Sequence, residues 1–341
     1  MYKFNIVLLI LSFILSTIIC EYKGDIWEEN LRVTIYKLLN DSIPSYTQII
    51  IDKKGIPFVQ YSELNGVKAS TQYNSTIISI YALDYYKLLN EGKDSTAKSK
   101  FYNCILWLQS NITYKNNYAY FEFNWQQPFY DSVAVPWTCG MTSGAALEAF
   151  TDASLLYKSQ DFLNIAFKLL RGFYLPIQSG GFTYKEPEGW WYEEYAYKSM
   201  HTPRVVAGHI FAIQHLHKFW LVTKSDSAAV IVQKGLQSLK YHLSEYDNGK
   251  GWSYYDCYHK LNDEKYHKQL TGMMKDLGDS THDKQYYEYY NKWNSQLTKP
   301  YLYRIIKERN RSGLILYFII TAILFFLIFL LNYFVMKRTA K

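Results

Sequence analysis

Apolar residues run from Phe4 to Cys20 with only Asn5, Ser12, Ser16 and Thr17 among the interruptions, behind one basic residue, Lys3, and directly before Glu21. A membrane-spanning helix takes about 20 apolar residues, and this stretch is a little shorter, so the pattern predicts a signal peptide over residues 1–20 that is removed near Cys20. A second apolar run, Leu314–Met336, carries no charge and is rich in Leu, Ile and Phe. At 1.5 Å per residue it reaches roughly 35 Å, which predicts one C-terminal transmembrane helix over 314–336 rather than a buried core helix.

Between these ends the periodicity is helical. Val205, Val206, Ile210, Ile213, Leu216 and Trp220 recur on one face, and so do Val230, Ile231, Leu236, Leu239 and Leu243. Aromatic- and glycine-rich connections separate such stretches at Tyr118–Trp125, Gly180–Tyr195 and Asp247–Tyr258. The spacing predicts a mainly α domain, an incomplete α/α toroid of helical hairpins with aromatic-rich loops and short β-hairpins. In such a toroid the loops of one rim gather into a cleft. The expected order is signal peptide 1–20, lumenal domain 21–303, basic juxtamembrane segment 304–313, transmembrane helix 314–336 and cytosolic tail 337–341.

Charge changes the picture only at the edges. The net charge of +7 concentrates in Lys3, in the stretch Arg304–Arg311 and in the tail of Lys337, Arg338 and Lys341, leaving residues 21–303 near neutral. This argues against nucleic acid as a partner and for a membrane-edge role of the basic residues. Because they flank the apolar run on both sides, the signal peptide sets the orientation, with the domain lumenal in the Golgi or endoplasmic reticulum. Once Cys20 leaves with the signal, Cys104, Cys139 and Cys257 allow at most one internal disulfide and lack metal-ligand spacing. Sequons at Asn74 and Asn111, with a weaker one at Asn40 and one at Asn310 beside the anchor, fit a glycosylated lumenal domain.

The densest chemistry is Trp190-Trp191-Tyr192-Glu193-Glu194-Tyr195, two carboxylates and four aromatics in six residues. Carboxylates are rarely buried unless paired or used, so the segment reads either as a site or as an aromatic turn with both Glu solvated. The chain holds 34 Tyr among its 341 residues, so no lone Tyr is informative.

Trp191–Tyr195, then Thr202-Pro203 and the helical stretch Val205–Leu221, resemble the aromatic-carboxylate loop and following helix of the D-glucuronyl C5-epimerase family. The similarity continues through Ser238-Leu239-Lys240, Tyr246-Asp247-Asn248-Gly249, Tyr255-Asp256 with His259, Tyr266-His267 and Trp293. Upstream it takes in Gly66–Gln72, Ile80-Tyr81-Ala82-Leu83, and Trp137 with Gly140-Met141. It covers roughly residues 60–297. Two positions depart from the family pattern: Tyr258 stands where the animal enzymes have Arg, and Leu270 where a second His would follow Tyr-His.

The resemblance implies C5 epimerisation of D-glucuronate to L-iduronate in a glycosaminoglycan-like polysaccharide, by proton removal on one face and return on the other, with no redox cofactor and no metal. By matching position it implies Glu194 as one base, Tyr266 as the opposing acid/base, and Tyr255 and Tyr195 as donors around the enolate. Trp191, Tyr192, His267, Arg204, Trp137 and Tyr81 are the implied substrate contacts. The partners are a uronate polysaccharide and membrane lipid through one helix, with a homodimer left open. Alternative readings are a hydrolase pairing Glu193 or Glu194 with Asp256, a lyase, and a glycan-binding protein without turnover.

Overall fold

The computed structural model describes residues 2–38, 47–63, 65–198, 202–307 and 310–339. The first apolar stretch lies in α1, Tyr2–Leu38, which continues past Cys20 without a break. Residues 21–38 contain no proline and a single glycine, Gly24, so nothing in the sequence ends the helix at the expected cleavage point. Two compact units divide the chain, one made of residues 1–43 and 294–341, the other of residues 44–293.

The larger unit starts with an antiparallel sheet of β1 (Thr47–Ile51), β2 (Pro57–Tyr61) and β3 (Thr71–Gln72), in that order, with Ile49 opposite Val59. Then come α2 (Ser75–Asn90), α3 (Ala97–Ser110), the hairpin β4 (Thr113–Lys115) and β5 (Tyr118–Tyr120), and the pair β6 (Glu122–Phe123) and β7 (Trp137–Thr138). Next are α4 (Gly140–Tyr157), α5 (Gln160–Gly172), the hairpin β8 (Thr183–Glu186) and β9 (Gly189–Tyr192), and the helices α6 (Val206–Thr223), α7 (Asp226–His242), α8 (Glu264–Thr281) and α9 (Lys284–Leu297).

Helix hairpins α2/α3, α4/α5 and α6/α7 pack as units, and α2, α4, α6 and α8 follow one another in a row. The expectation of side-by-side helical hairpins with short β-hairpins in their connections is met. Residue choice explains the layering. Helix α4 is buried nearly all round and presents Gly144, Ala145, Ala146, Ala149 and Ala153. A Cβ on Gly144 would lie 3.2 Å from the Ala212 Cα, so small residues set the approach of α4 to α6. Helix α5 instead buries one stripe, Phe162, Ile165, Ala166, Leu169 and Leu170, at the spacing of a helix with one wet face.

All four cysteines are free thiols. Asn74 corrects the sequon expectation: it is buried, its Oδ1 accepts from the Thr76 and Ile77 amides as the cap of α2, and its Nδ2 donates to the Tyr61 hydroxyl at 2.7 Å. Asn111 is exposed, and Asn40 lies outside the described residues.

In the smaller unit α1 packs against α10 (Tyr301–Lys307) and α11 (Arg311–Thr339). Ser16 meets Thr321, Thr17 meets Tyr317, and Glu28 meets Ser312, so α1 and α11 run antiparallel. Two segments, Ile6–Glu28 and Arg311–Phe334, are long and apolar enough to cross a membrane by length and composition, where the sequence pattern predicts one.

Candidate active site

The β8–β9 hairpin delivers its second strand to the Glu193-Glu194-Tyr195 turn. The turn is pinned on both sides: the Gly140 amide donates to the Glu193 carbonyl at 2.7 Å, and Thr138 and Ala196 exchange backbone hydrogen bonds. Consecutive side chains then meet different surroundings. Glu193 is fully buried, one oxygen accepting from the Arg204 amide at 3.2 Å and the other, Oε1, without a protein partner. Loss of water dominates there and pushes its pKa up to about 8, against the opposing pull of a Thr202 hydrogen bond.

Glu194 is half-buried and faces a cluster of phenols. Its carboxyl lies over Gly208 on α6, where an added Cβ would come within 2.5 Å of Oε2, so a residue without a side chain makes the space for it. Desolvation lifts its pKa to about 7, opposed by a hydrogen bond from the Tyr195 hydroxyl. Tyr195 also hydrogen-bonds Tyr255, and the Glu194 charge raises the pKa of Tyr195, Tyr255 and Tyr266, each already raised by burial. Tyr255 and Tyr266 meet edge to face with ring centroids 5.6 Å apart. Asp263 caps α8 by accepting from the Tyr266 amide at 2.9 Å, which fixes the backbone of Tyr266. Tyr266 is 44% exposed, so it stands at the open side of the cluster.

Thus Glu194, Tyr195, Tyr255 and Tyr266, spread over more than 70 residues of sequence, form one group. The structure adds Tyr130, whose ring lies 5.3 Å from Tyr195 and whose hydroxyl donates to Asp256 Oδ2 at 2.7 Å. Asp256 is buried, and its other oxygen accepts from the Tyr258 and Lys260 amides, so it organises the 255–260 loop. Lys260 places its ammonium 5.6 Å from the centre of the Tyr255 ring. Tyr130, Gly208 and Lys260 carry no periodic or motif signal in the sequence.

Several expected substrate contacts belong to the core instead. Trp191 is fully buried, stacked on His209 at 4.0 Å and on Tyr246 at 5.7 Å. Tyr192 is fully buried and its hydroxyl donates to the Ile231 carbonyl at 2.6 Å. His267 is buried against Trp252, its Nδ1 accepts from the Ser253 amide, and Nε2 faces the Trp293 carbonyl at 3.3 Å. Burial holds its pKa down near 4, which keeps it neutral. Arg204 is committed to Glu245 at 3.0 Å, Glu186 at 3.7 Å and His242 at 3.0 Å, so its charge is already matched. Trp137 is buried 5.5 Å from the Tyr195 ring and supports it from beneath. Tyr81 sits half-buried on α2, edge-on to Tyr85.

A polar cavity of about 290 Å³ lies beside Arg204, lined also by Tyr184, Glu186, Lys198, Thr202 and Tyr258. A larger one of about 620 Å³ lies between α6, α7 and α8 and includes none of the Glu194 group. Chemistry therefore places the candidate site at the phenol cluster and not at the larger cavity.

Comparison with known proteins gives one family match: the family described as D-glucuronyl C5-epimerase C-terminus matches residues 115–295, just over half of the 341 residues. An uncharacterized protein of Methanocaldococcus jannaschii is 30% identical over 190 residues, 54% of this chain; the chain spans 59% of that relative's length. Among solved structures, the cellobiose 2-epimerase of Bacillus thermoamylovorans B4167 has a TM-score of 0.47 at 8% identity, covering 70% of this chain and 72% of its own. A D-mannose isomerase has a TM-score of 0.44 at 12% identity, covering 68% and 63%.

Proposed function

This chain belongs to the D-glucuronyl C5-epimerase C-terminus family, and from that premise we propose that it is a carbohydrate epimerase that inverts C5 of hexuronate residues, D-glucuronate to L-iduronate, in a polysaccharide. One observation carries the reading: a half-buried carboxyl, Glu194, with its pKa near 7, ringed by protonated phenols of which one, Tyr266, faces the opening.

The C5 hydrogen of a uronate is α to the C6 carboxylate, so its removal leaves an enolate. Glu194, its pKa lifted to about 7 by desolvation, takes that proton on one face in its ionised form. Tyr266, whose raised pKa keeps it protonated, returns one on the other. Tyr255 supplies a hydrogen bond to an enolate oxygen, where a donor preset toward developing charge counts most, and Tyr195, whose single O–H is given to the Glu194 carboxylate at rest, is released toward the enolate once Glu194 takes up the proton. Because an ionised carboxylate opposes carbanion formation beside it, a cation is needed, and Lys260 beside Tyr255 takes that part in place of the committed Arg204. Each turnover leaves a proton on Glu194 and removes one from Tyr266, and both reset through water. Asp256, saturated by Tyr130 and two amides, is a poor partner for glycoside hydrolysis.

The test is product analysis on an unsulfated glucuronate polymer such as heparosan. The expected result is appearance of iduronate with chain length unchanged; shortened or unsaturated chains would mean hydrolase or lyase chemistry instead.

A further inference from the structure

We infer that α1 is not removed but is retained as a membrane helix paired with α11, so that the chain is anchored by an antiparallel two-helix hairpin with both termini on one side. The interaction surface is the α11 face bearing Tyr317 and Thr321, and its partner is the α1 face of Ser12, Ser16 and Cys20. All five residues are buried in the pair, although most of the residues around them in both helices are exposed and apolar, as lipid contact requires.

Small residues four apart on α1, Ser12, Ser16 and Cys20, followed by Gly24, let the helices approach. A Cβ on Gly24 would fall 2.6 Å from the Tyr301 ring. Polar atoms deep in the pair satisfy one another: Thr321 donates to Ser16 Oγ at 3.0 Å, and Thr17 and the Tyr317 hydroxyl are 2.7 Å apart. In hydrocarbon such groups need protein partners. Removing residues 1–20 would take away Thr17 and the Phe13 carbonyl, both partners of the Tyr317 hydroxyl, and leave Thr321 only the Tyr317 carbonyl of its own helix.

The pairing continues past the apolar part. Asp25 takes both its oxygens to Arg304 Nη2 at 3.1 Å, Glu21 accepts from the Tyr301 amide at 2.7 Å, and Glu28 accepts from Asn310 and Ser312 at 2.9 and 2.7 Å. These acidic residues recur on the α1 face that meets α10 and the start of α11, and the continuous helix through Cys20 is what aims them. The sequence before Glu21 is Ile18-Ile19-Cys20, which lacks the small residue that a leader peptidase reads three positions before its cut.

The full chain, carrying one epitope tag at each end, is expressed in membranes. The expected product is a single species bearing both tags, with both tags reached by protease from the same face. A Ser16→Cys/Thr321→Cys double variant, oxidised in the membrane, is expected to give a cross-linked peptide pair at a yield at least tenfold above Ile18→Cys/Thr321→Cys, since Ile18 faces outward. A mature chain beginning at or near Glu21, tags on opposite faces, or equal cross-linking of the two variants would each overturn the inference. The tag result stands on unsubstituted helices and decides the question even if the cysteine pair fails to assemble.

Discussion

Glu193 and Glu194 are adjacent, chemically identical, and sit in opposite environments. The Glu193 side is sealed, with no solvent exposure and with the Arg204 amide and Thr202 as the donors to its carboxyl. The Glu194 side is partly exposed, with its carboxyl over Gly208 and the Tyr195, Tyr255 and Tyr266 phenols beside it. Both pKa values rise through desolvation, yet of the two only Glu194 has solvent exposure. A raised pKa alone therefore does not mark a catalytic acid; access and neighbouring donors do.

Neutralising each carboxyl in turn separates the two residues most strongly. Glu194→Gln is expected to lower C5 turnover by about 10²–10⁴-fold, the usual worth of a positioned acid or base. Tyr266→Phe is expected to cost a similar factor while leaving the fold unchanged by circular dichroism. Equal losses from Glu193→Gln and Glu194→Gln would erase the distinction. Gly208→Ala comes next: its methyl would fall 2.5 Å from Glu194 Oε2 and 2.8 Å from Glu194 Cβ, and displacing the carboxyl by about 1 Å is expected to cost up to about 10²-fold in kcat, with a lowered Tm alongside because the Cβ must shift as well.

A pH profile sharpens the same contrast. If Glu194 must be ionised, kcat/KM of the unsubstituted chain is expected to rise with pH and level off above about 7, the value its burial sets. Glu193 contributes to stability rather than rate. Its folded pKa, about 8, exceeds the ordinary carboxyl value of 4.5, so the folded state holds more protons between those values and loses stability as pH rises through them. Glu193→Gln removes that loss. Its Tm is expected to gain on the unsubstituted chain as pH goes from 5 to 8, by a few degrees, with activity nearly intact. A constant Tm difference across that range would mean that Glu193 ionises freely.

The sequence made the four central residues legible because Glu194, Tyr195, Tyr255 and Tyr266 lie in motifs whose order resembles a family. The helical hairpins were legible from the period of their apolar residues. Assigning Trp191, Tyr192 and His267 to the cleft failed for a physical reason. Trp191 and Tyr192 are neighbours on β9 and both fully buried, because that strand is covered on both sides, Tyr192 by Phe173 and the Ile231 carbonyl, and composition does not reveal such a cover. Trp191 spends its surface on His209 and Tyr246, and His267 spends its nitrogens on Ser253 and Trp293. Arg204 was chosen for its charge, but the carboxylates that cancel it lie 18 and 41 residues away in sequence, at Glu186 and Glu245. Asn74 matches a sequon and a helix cap equally well by sequence, and only its burial separates the two.

In the proposed reaction Glu194 moves the C5 proton and Glu193 does not. The most direct measurement is deuterium incorporation at C5 of a glucuronate polymer incubated in deuterated water with the full chain and each Gln variant. Label is expected at C5 with the unsubstituted chain and with Glu193→Gln, and its loss with Glu194→Gln. Label persisting undiminished in Glu194→Gln would contradict that role of Glu194.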